Sequence, residues 1–399
     1  MTGSARERRT FVLDSARLGL DGVVVSLVQS GFLLVAIRYF AVSDAWKSLL
    51  AAAPHIGQLA ALFLPALVAR LEPRPNIVVA AATAVGALLL LPAAFAAGGG
   101  LFVLLVAGCL LLFNGRLPFL TAIHEQNYHP SRRGRRFAFG ALLTVVAALL
   151  FDLIFGALVE RDLALFRPMV VAAAGLLLVQ AVLMIFVPSK PTSRADRNPF
   201  AGLKLVREDK VFGRMLLAWF ILGFANLFTL PLRVVYLAEA DRGLGLSPFM
   251  VVLIAGLIPQ ATRLVFNRVW ARVCDRLNLV VFRILLAVSI GTGIFLYFLT
   301  SSIPIIIIGN ILISVSMAGG PIIWHTWVTR IAPPGQSHVY MSVHVFLTGV
   351  RGTIGPLVGF GALAAVSFPA IGAFALGLVV VAVVIVLPLK GNRRMEAPG

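Results

Sequence analysis

The amino-acid sequence predicts an all-α membrane protein with twelve transmembrane helices, built as two related halves of six helices each. Composition is the first observation behind this prediction, because 60% of the 399 residues are hydrophobic and only 13% are charged. The mean hydropathy is +0.97, whereas soluble domains are about half apolar and about a quarter charged. The number of apolar stretches and an internal repeat are the second and third observations.

The twelve predicted spans are the stretches that are apolar over about 20 residues, the length that crosses a bilayer core. They lie at residues 15–38, 46–69, 76–96, 100–124, 137–159, 168–187, 211–236, 248–270, 279–299, 303–328, 339–364 and 369–388. The longest polar segment, 188–210, separates six spans from six. We therefore predict an N-terminal bundle at 1–187, a cytoplasmic linker at 188–210 and a C-terminal bundle at 211–399.

Basic residues are distributed very unevenly between the two sides of the predicted helices. The net charge is +18, and the stretch "PSRRGRR" at 130–136 is of a kind often found in nucleic-acid-binding proteins. Twenty-three Lys and Arg lie in loops and ends on the side of the termini, against five on the other side. This asymmetry predicts cytoplasmic termini in a bacterial inner (plasma) membrane. It also argues against a nucleic-acid partner, because the charge is spread over every cytoplasmic loop.

Motifs for metals, nucleotides and enzymatic catalysis are missing from the sequence. The segment "HEQNYH" at 124–129 lacks the His at i and i+4 that a zinc protease needs. There is no Gly-Lys-Ser/Thr nucleotide loop, and the two cysteines define neither a disulfide framework nor a zinc cluster. We therefore expect no cofactor, no metal and no enzymatic reaction.

The two halves of the sequence match each other at a constant spacing. Three pairs of segments align at offsets of 202 or 203 residues, namely 67–79 with 269–281, 55–63 with 257–265, and 118–130 with 321–333. The best pair is "LVARLEPRPNIVV" and "VWARVCDRLNLVV", which share A-R-x-x-x-R-x-N-x-V-V. Because six spans return the chain to the side where it began, both copies point in the same direction.

The cytoplasmic loops resemble those of the major facilitator superfamily. "CDRLN" after span 8 keeps the family's Asp-Arg, whereas the loop after span 2 has Pro73 in place of the Asp. The segment "NYHPSRRGRRFAFG" is similar to the family's Pro-x-x-x-Arg-Gly-Arg loop between spans 4 and 5. The loop residues concerned are Arg70, Arg74, Arg132, Arg133, Gly134, Arg135, Arg272, Asp275 and Arg276. The resemblance implies two pseudo-symmetric six-helix bundles around a central cavity, with spans 3, 6, 9 and 12 facing lipid.

Polar residues within the other spans are the candidates for substrate binding, because charges inside a bilayer are costly. The predicted substrate-binding residues are Asp21, Asn114, Arg116, Asn226, Gln260, Arg263 and His325. Two arginines and one aspartate in a cluster of Asp21, Arg116 and Arg263 would suit an anionic substrate. A buried salt-bridge network that only gates the transporter is an equally good interpretation.

Two further groups of residues are candidates for coupling and gating. Asp152 stands alone in "ALLFDLIFG" and is the first proton-coupling candidate, with Asp21 second. A simple hydrogen bond from Asp152 to a neighbouring helix is the alternative. His55, Gln58 and Arg351 are predicted to contact across the two bundles in one state and to separate in another, since these spans adjoin in the family fold.

Together these features predict a monomeric secondary active transporter that works by alternating access, with membrane lipid around it. We expect proton-coupled export of an amphipathic or anionic small molecule. Uptake of an organic anion or a sugar is the first alternative, and lipid flipping is the second.

Overall fold

A computed structural model describes residues 3–68, 72–191, 202–274, 276–333 and 336–396 of the chain. Within this part of the chain the regular structure is entirely helical. The description covers twelve long helical segments in the order that the apolar stretches predict. Eleven of these segments are long and apolar enough, by length and composition, to cross a membrane. Asp44–Val68, with 25 residues, occupies the remaining position, that of span 2.

In the first half, several helices extend beyond the predicted apolar stretches or are interrupted within them. Span 1 begins at residue 3, and span 5 begins at Pro130 with the arginine-rich loop in its first turns. A helix continues into water as long as its polar residues tolerate helical geometry, so hydropathy alone misses these ends. The bounds are Gly3–Ser26, Leu27–Gly31 (a π-helical turn) and Phe32–Arg38 for span 1, Asp44–Val68, Pro75–Ala94, Gly99–Gly115 with Leu117–Asn127 for span 4, Pro130–Arg161 and Phe166–Ile185.

The second half repeats this arrangement. Its bounds are Lys210–Ala238 for span 7, Pro248–Val252 with the π-helical turn Leu253–Leu257 and Ile258–Cys274 for span 8, Leu279–Leu299, Ile303–Ile331, Ser337–Leu363 and Phe368–Val386. Span 4 is broken just before Pro118, which agrees with the missing backbone donor of proline. The π-helical turns in spans 1 and 8 were not predicted. Such turns are rare and occur often at functional sites.

The helices group into two compact units, which we describe separately. The first comprises the described residues of 1–197 and 246–256, and the second those of 198–245 and 257–399. The predicted division at 188–210 differs in the placement of 246–256, the outer part of span 8, which packs on span 5. Inside the first unit, span 1 packs on 5, span 2 on 4, and span 3 on 6. Inside the second, span 7 packs on 11, span 8 on 10, and span 9 on 12.

The end of the chain is tied to the start of span 7 in the second unit. The Asp209 carboxylate caps that helix by accepting hydrogen bonds from the amides of Val211 and Phe212. It also accepts from both Nη atoms of Arg394, at 3.1 and 2.7 Å, and from Tyr340. Burial raises the pKa of Asp209, but the bonds from Arg394 and the Phe212 amide outweigh it, so this pKa lies below its ordinary value.

Candidate functional site

The intramembrane charges of the first unit form one network that begins on a single face of span 1. Asp14, Arg17 and Asp21 are spaced by three and four residues, so their side chains are neighbours. Arg17 Nε donates to Asp14 Oδ1 at 2.8 Å, and Arg17 Nη1 donates to Asp21 Oδ2 at 2.5 Å. All three side chains are buried. Arg17 is therefore neutralised by residues of its own helix.

Arg116 completes this network from the break in span 4. Its Nη2 atom donates to Asp21 Oδ1 at 2.5 Å, and its Nη1 atom donates to Thr83 at 2.7 Å and Gln180 at 2.5 Å. Only 1% of Arg116 is exposed. Gln180 also donates to Asp21 Oδ1, at 2.7 Å.

The network is balanced in charge, with two aspartates, 14 and 21, and two arginines, 17 and 116. The structure thus brings Asp21 and Arg116 together, but it leaves neither Nη group of Arg116 free for a substrate. This geometry favours the salt-bridge interpretation for Arg116 over anion binding. Arg263 belongs to the second unit, so its part in the predicted cluster stays a prediction. Asn114, which precedes Arg116 on span 4, donates to the carbonyl of Leu110 at 3.0 Å.

Thr83 and Gln180 were not among the predicted site residues, because spans 3 and 6 were expected to face lipid. A lone amide in "LLLVQAVLMIF" was the signal that could have identified Gln180. An uncharged polar residue in an apolar span needs a partner as much as a charged one does. His124 and Tyr128, which contact Asp14 Oδ2 at 3.0 and 3.2 Å, extend the network to the end of span 4.

Asp152 lies apart from this network, fully buried in span 5 of the first unit. Ser26 donates to its Oδ1 atom at 2.5 Å. Its Oδ2 atom is buried and has no hydrogen-bond partner among the described residues. Gly256 packs directly against the carboxyl group, since a Cβ atom at position 256 would lie 2.8 Å from Oδ1.

Both contacts of Asp152 adjoin irregular helix geometry. Ser26 immediately precedes the π-helical turn of span 1, and Gly256 lies within that of span 8. The carboxyl is therefore held between two helices whose regular hydrogen bonding is interrupted where they meet it. Ser26 and Gly256 were missed by the sequence analysis, which had no means of identifying π-helical turns.

The second unit differs from the first in its charge balance. Spans 7 to 12 contain no Asp or Glu at all. Three arginines of these spans are nevertheless buried, Arg233, Arg283 and Arg351, and a fourth, Arg263, lies near the middle of span 8. Three of these are at least 94% buried, and Arg263 is half-buried. No carboxylate of these helices can neutralise them.

One of these arginines, Arg233, contacts Asn226 of its own helix. Arg233 Nη2 donates to Asn226 Oδ1 at 2.7 Å and to Thr229 Oγ1 at 3.3 Å. Arg263 is near enough to act on Arg233 as a like charge. The Nε atoms of both arginines are buried without a described hydrogen-bond partner, as is Nε2 of Gln260, a residue only 1% exposed. Asn226, Gln260 and Arg263 were predicted as site residues, and Arg233 was not.

Side-chain direction explains how Arg233 reaches Asn226 although it lies seven residues away. Side chains tilt toward the N-terminus of their own helix. Spans 7 and 8 run in opposite directions, so Arg233 points back along span 7 while Arg263 points the opposite way along span 8. The contact of Arg233 with Asn226 places its guanidinium about 24 Å from the start of span 7, at 1.5 Å per residue.

Arg351 and Arg283 form a second pair of like charges around Trp219. Arg351 Nη1 donates to the carbonyl of Trp219, and its Nη2 donates to Thr348 at 3.1 Å. The Arg283 guanidinium lies 3.6 Å over the Trp219 ring. A side chain at Gly223 would overlap Arg351, so this close approach requires glycine. These contacts fix both arginines inside the second unit.

The remaining predicted residues have the following positions. His55 contacts Gln58 at 3.1 Å within span 2, and the gating contact of this pair with Arg351 stays a prediction. In the first turns of span 5, Arg133 donates to the carbonyls of Tyr128 and Glu125. Exposed positions are occupied by Arg74, Arg132, Arg135, Arg272 and Arg276, and Gly134 lies in the first turns of span 5. Arg70, Asp275 and the side chain of His325 lie outside what the structure describes. Among the described residues, no cluster of His, Cys, Asp or Glu could hold a metal ion.

Comparisons with known proteins agree with this architecture. The family profile described as Major Facilitator Superfamily matches residues 22–356. Among solved structures, a mutant of the nucleoside transporter NupG superposes with a TM-score of 0.76 at 13% identity, covering 96% of this chain and 99% of that one. No curated protein sequence matches the chain.

Two further structures have the same fold. The xylose transporter XylE from E. coli has a TM-score of 0.69 at 13% identity, with 96% of this chain and 98% of that one covered. The human organic anion transporter MFSD10 has a TM-score of 0.67 at 16% identity, with 95% and 99% covered. At these identities the likeness extends to the fold alone.

Proposed function

The chain belongs to the major facilitator superfamily, and from that premise we propose that it couples protons to the export of a small organic anion. As a member of this family it is an integral membrane protein and a transporter rather than an enzyme. The nature of the substrate, the proton coupling and the direction of transport are the proposed parts. Each has its own support and its own test.

The unbalanced arginines of the second unit are the observation on which the anionic substrate rests. An ion buried without a counter-charge costs several kcal/mol. Arg233 and Arg263 add mutual repulsion, and spans 7 to 12 supply no carboxylate. A carboxylate or phosphate on the substrate would neutralise them, and the planar guanidinium can bind either group through two hydrogen bonds. Asn226 and Gln260 would contribute uncharged polar contacts.

The first experiment is a thermal-shift screen of the purified protein against metabolites and drugs, followed by flux of each stabilising compound into proteoliposomes. Arg233→Gln and Arg263→Gln should each weaken binding of the anion roughly 10- to 150-fold, the value of one charged hydrogen bond. Arg268→Gln is the matched control, because Arg268 is an exposed arginine on the same span as Arg263. Unchanged affinity in both site variants would remove the basis for an anion site.

Proton coupling is assigned to Asp152 on the geometry of its carboxyl group. Ser26 provides one hydrogen bond, and Oδ2 has no partner in the described part of the chain. A proton on Oδ2 removes the charge that this dry site cannot stabilise, whereas its release needs a change in the surroundings. Such a linkage between protonation and helix position is what coupling requires. Asp21 is the weaker candidate, because Arg17 and Arg116 already neutralise it.

The test of coupling separates exchange from gradient-driven transport. Asp152→Asn should retain exchange of substrate between equal concentrations but lose the response to an imposed pH gradient. Asp162→Asn, which changes an exposed aspartate just beyond span 5, should behave as the wild type. If Asp152→Asn transports at the wild-type rate with an unchanged response to the gradient, the assignment is wrong.

Export from a bacterial cell, by a monomer whose termini are both cytoplasmic, is the proposed physiological arrangement. The excess of basic residues on the side of the termini supports this orientation. Inside-out vesicles with an acidic interior should then accumulate the anion. Accumulation confined to right-side-out vesicles with acid outside would instead identify uptake.

A further inference from the structure

A groove of about 740 Å³ lies in the first unit, away from the intramembrane charges, where the beginning of span 1 meets the end of span 6. None of its lining residues belongs to the charge network, to the Asp152 site or to the second unit. The residues that line it are Ala5, Arg8, Arg9, Val12, Leu13 and Phe186.

Two positive charges line the groove, and both lack a partner among the described residues. Arg8 and Arg9 are exposed, and neither makes an ion pair or hydrogen bond with any described residue. The adjacent Glu7 does not neutralise them, because it pairs with Arg136 at 3.1 Å and with Arg132 at 3.5 Å. Two neighbouring guanidinium groups therefore line the groove, and no described carboxylate neutralises them.

The rest of the groove, one helical turn farther along span 1 and at the end of span 6, is apolar and uncovered. Val12 is 59% exposed and Phe186 is 53% exposed. Arginine and exposed aliphatic or aromatic groups in one groove match an amphipathic ligand with an anionic head and an apolar tail. A free inorganic anion would contact only the two arginines, and a plain hydrocarbon would contact only the apolar residues.

The length of span 1 places this groove at the edge of the bilayer. The span runs without a break in the chain from residue 3 to residue 38, which is about 54 Å at 1.5 Å per residue. A bilayer is about 40–45 Å thick with its headgroups, so the first turns of span 1 lie at the headgroup level. The step from Arg9 to Val12 then leads from the headgroups toward the hydrocarbon.

We propose that this groove binds an anionic phospholipid, with the phosphate between Arg8 and Arg9 and an acyl chain against Val12 and Phe186. The site is independent of the transported substrate. It would fix the beginning of span 1 in the leaflet that contacts the termini. An uncharged lipid would bind it more weakly because it lacks the anionic group, and a zwitterionic choline lipid because its headgroup also brings a positive charge to the two arginines.

The experiment uses the full-length protein in nanodiscs or delipidated detergent micelles, with native mass spectrometry to count retained lipids. Phosphatidylglycerol should bind more tightly than phosphatidylcholine. Each basic residue near a membrane surface contributes about 1 kcal/mol, so Arg8→Gln should weaken phosphatidylglycerol binding about 5-fold. The Arg8→Gln/Arg9→Gln pair should weaken it about 30-fold. Val12→Ser should also weaken it without changing the charge.

The matched control is Arg272→Gln/Arg276→Gln, which removes two exposed arginines from the second unit. This control should retain the tight phosphatidylglycerol adduct. Equal losses in both double variants would overturn the proposal, since the effect would then be one of overall charge. Glycerophosphate that competes as well as the intact lipid would overturn it too, because the apolar side would then contribute nothing. Thermal unfolding in neutral detergent verifies that every variant is folded.

Discussion

Replacing Arg116 by methionine is the sharpest test of the charge network in the first unit. Methionine has a similar length and an adaptable apolar side chain, so it removes the charge with little change in volume. The substitution deletes hydrogen bonds to Asp21 at 2.5 Å, to Thr83 at 2.7 Å and to Gln180 at 2.5 Å. Asp21 then remains buried, with one cation, Arg17, shared with Asp14.

The expected loss of stability follows from breaking a buried ion pair on one side only, which costs about 3–5 kcal/mol. Asp21→Asn should be destabilising for the same reason. The double variant Arg116→Met/Asp21→Asn removes both charges and leaves Arg17 paired with Asp14. Its cost should therefore fall short of the sum of the single costs by about 1–3 kcal/mol, the usual coupling between contacting residues.

The assay is unfolding of the purified protein in detergent at pH 7, with substrate affinity measured on the same samples. Arg268→Met, at an exposed position, should change stability by no more than about 0.5 kcal/mol. Substrate affinity should be unchanged in the fraction of Arg116→Met that is folded. Additive single effects, or wild-type stability together with lost affinity, would refute the network and return Arg116 to the substrate site.

Three further predictions follow from other contacts. Gly256→Ala should impair gradient-driven flux and lower the free energy of unfolding by about 1–3 kcal/mol, because the added Cβ would lie 2.8 Å from Asp152. Gly175→Ala is the control, since no atom lies within 4 Å of its added Cβ, and it should be neutral or stabilising. Ser26→Ala should shift the pH dependence of transport, whereas Ser26→Thr, which keeps the hydroxyl, should retain the wild-type dependence. If the two variants had the same pH profile, a role for the hydroxyl would be excluded. Asp209→Asn should lower the free energy of unfolding by about 0.5–1 kcal/mol at neutral pH, because the amide still caps the helix but loses the charge opposite Arg394. Since the folded pKa of Asp209 lies below its ordinary value, this difference should be fully present above about pH 3.9 and should be lost as the pH falls through the folded pKa. A pH-independent difference would contradict the ion pair.

Much of the fold could be predicted because the bilayer allows few solutions. A chain segment of about 20 apolar residues satisfies its backbone in hydrocarbon by forming a helix, so hydropathy predicts the spans and their order. The break before Pro118 agrees with the missing backbone donor of proline, but Pro231, Pro321 and Pro356 lie inside unbroken helices, so a proline alone does not predict a break. The π-helical turns in spans 1 and 8 did not follow from the sequence, because no residue type marks them.

The candidate site was predictable only in part. Asp21, Arg116 and Asp152 were recognisable as charges that a span rarely contains. Their partners Gln180, Thr83 and Ser26 are ordinary polar residues, which occur in spans without any special role. The absence of acids from spans 7 to 12 was readable in the sequence, but it became informative only when Arg233 and Arg263 were found near each other.

The sequence by itself determined the helices, the repeat and the approximate depth of each polar residue, because hydropathy, spacing and rise per residue are properties of one helix at a time. Tertiary structure alone decided which charge neutralises which. Pairing depends on the rotation of each helix about its axis and on its neighbours, and a rotation of half a turn exchanges a partner for hydrocarbon. Arg116 and Arg233 look alike in the sequence, yet the first is neutralised by an aspartate of another helix, and the second has no carboxylate in any span of its own half of the chain.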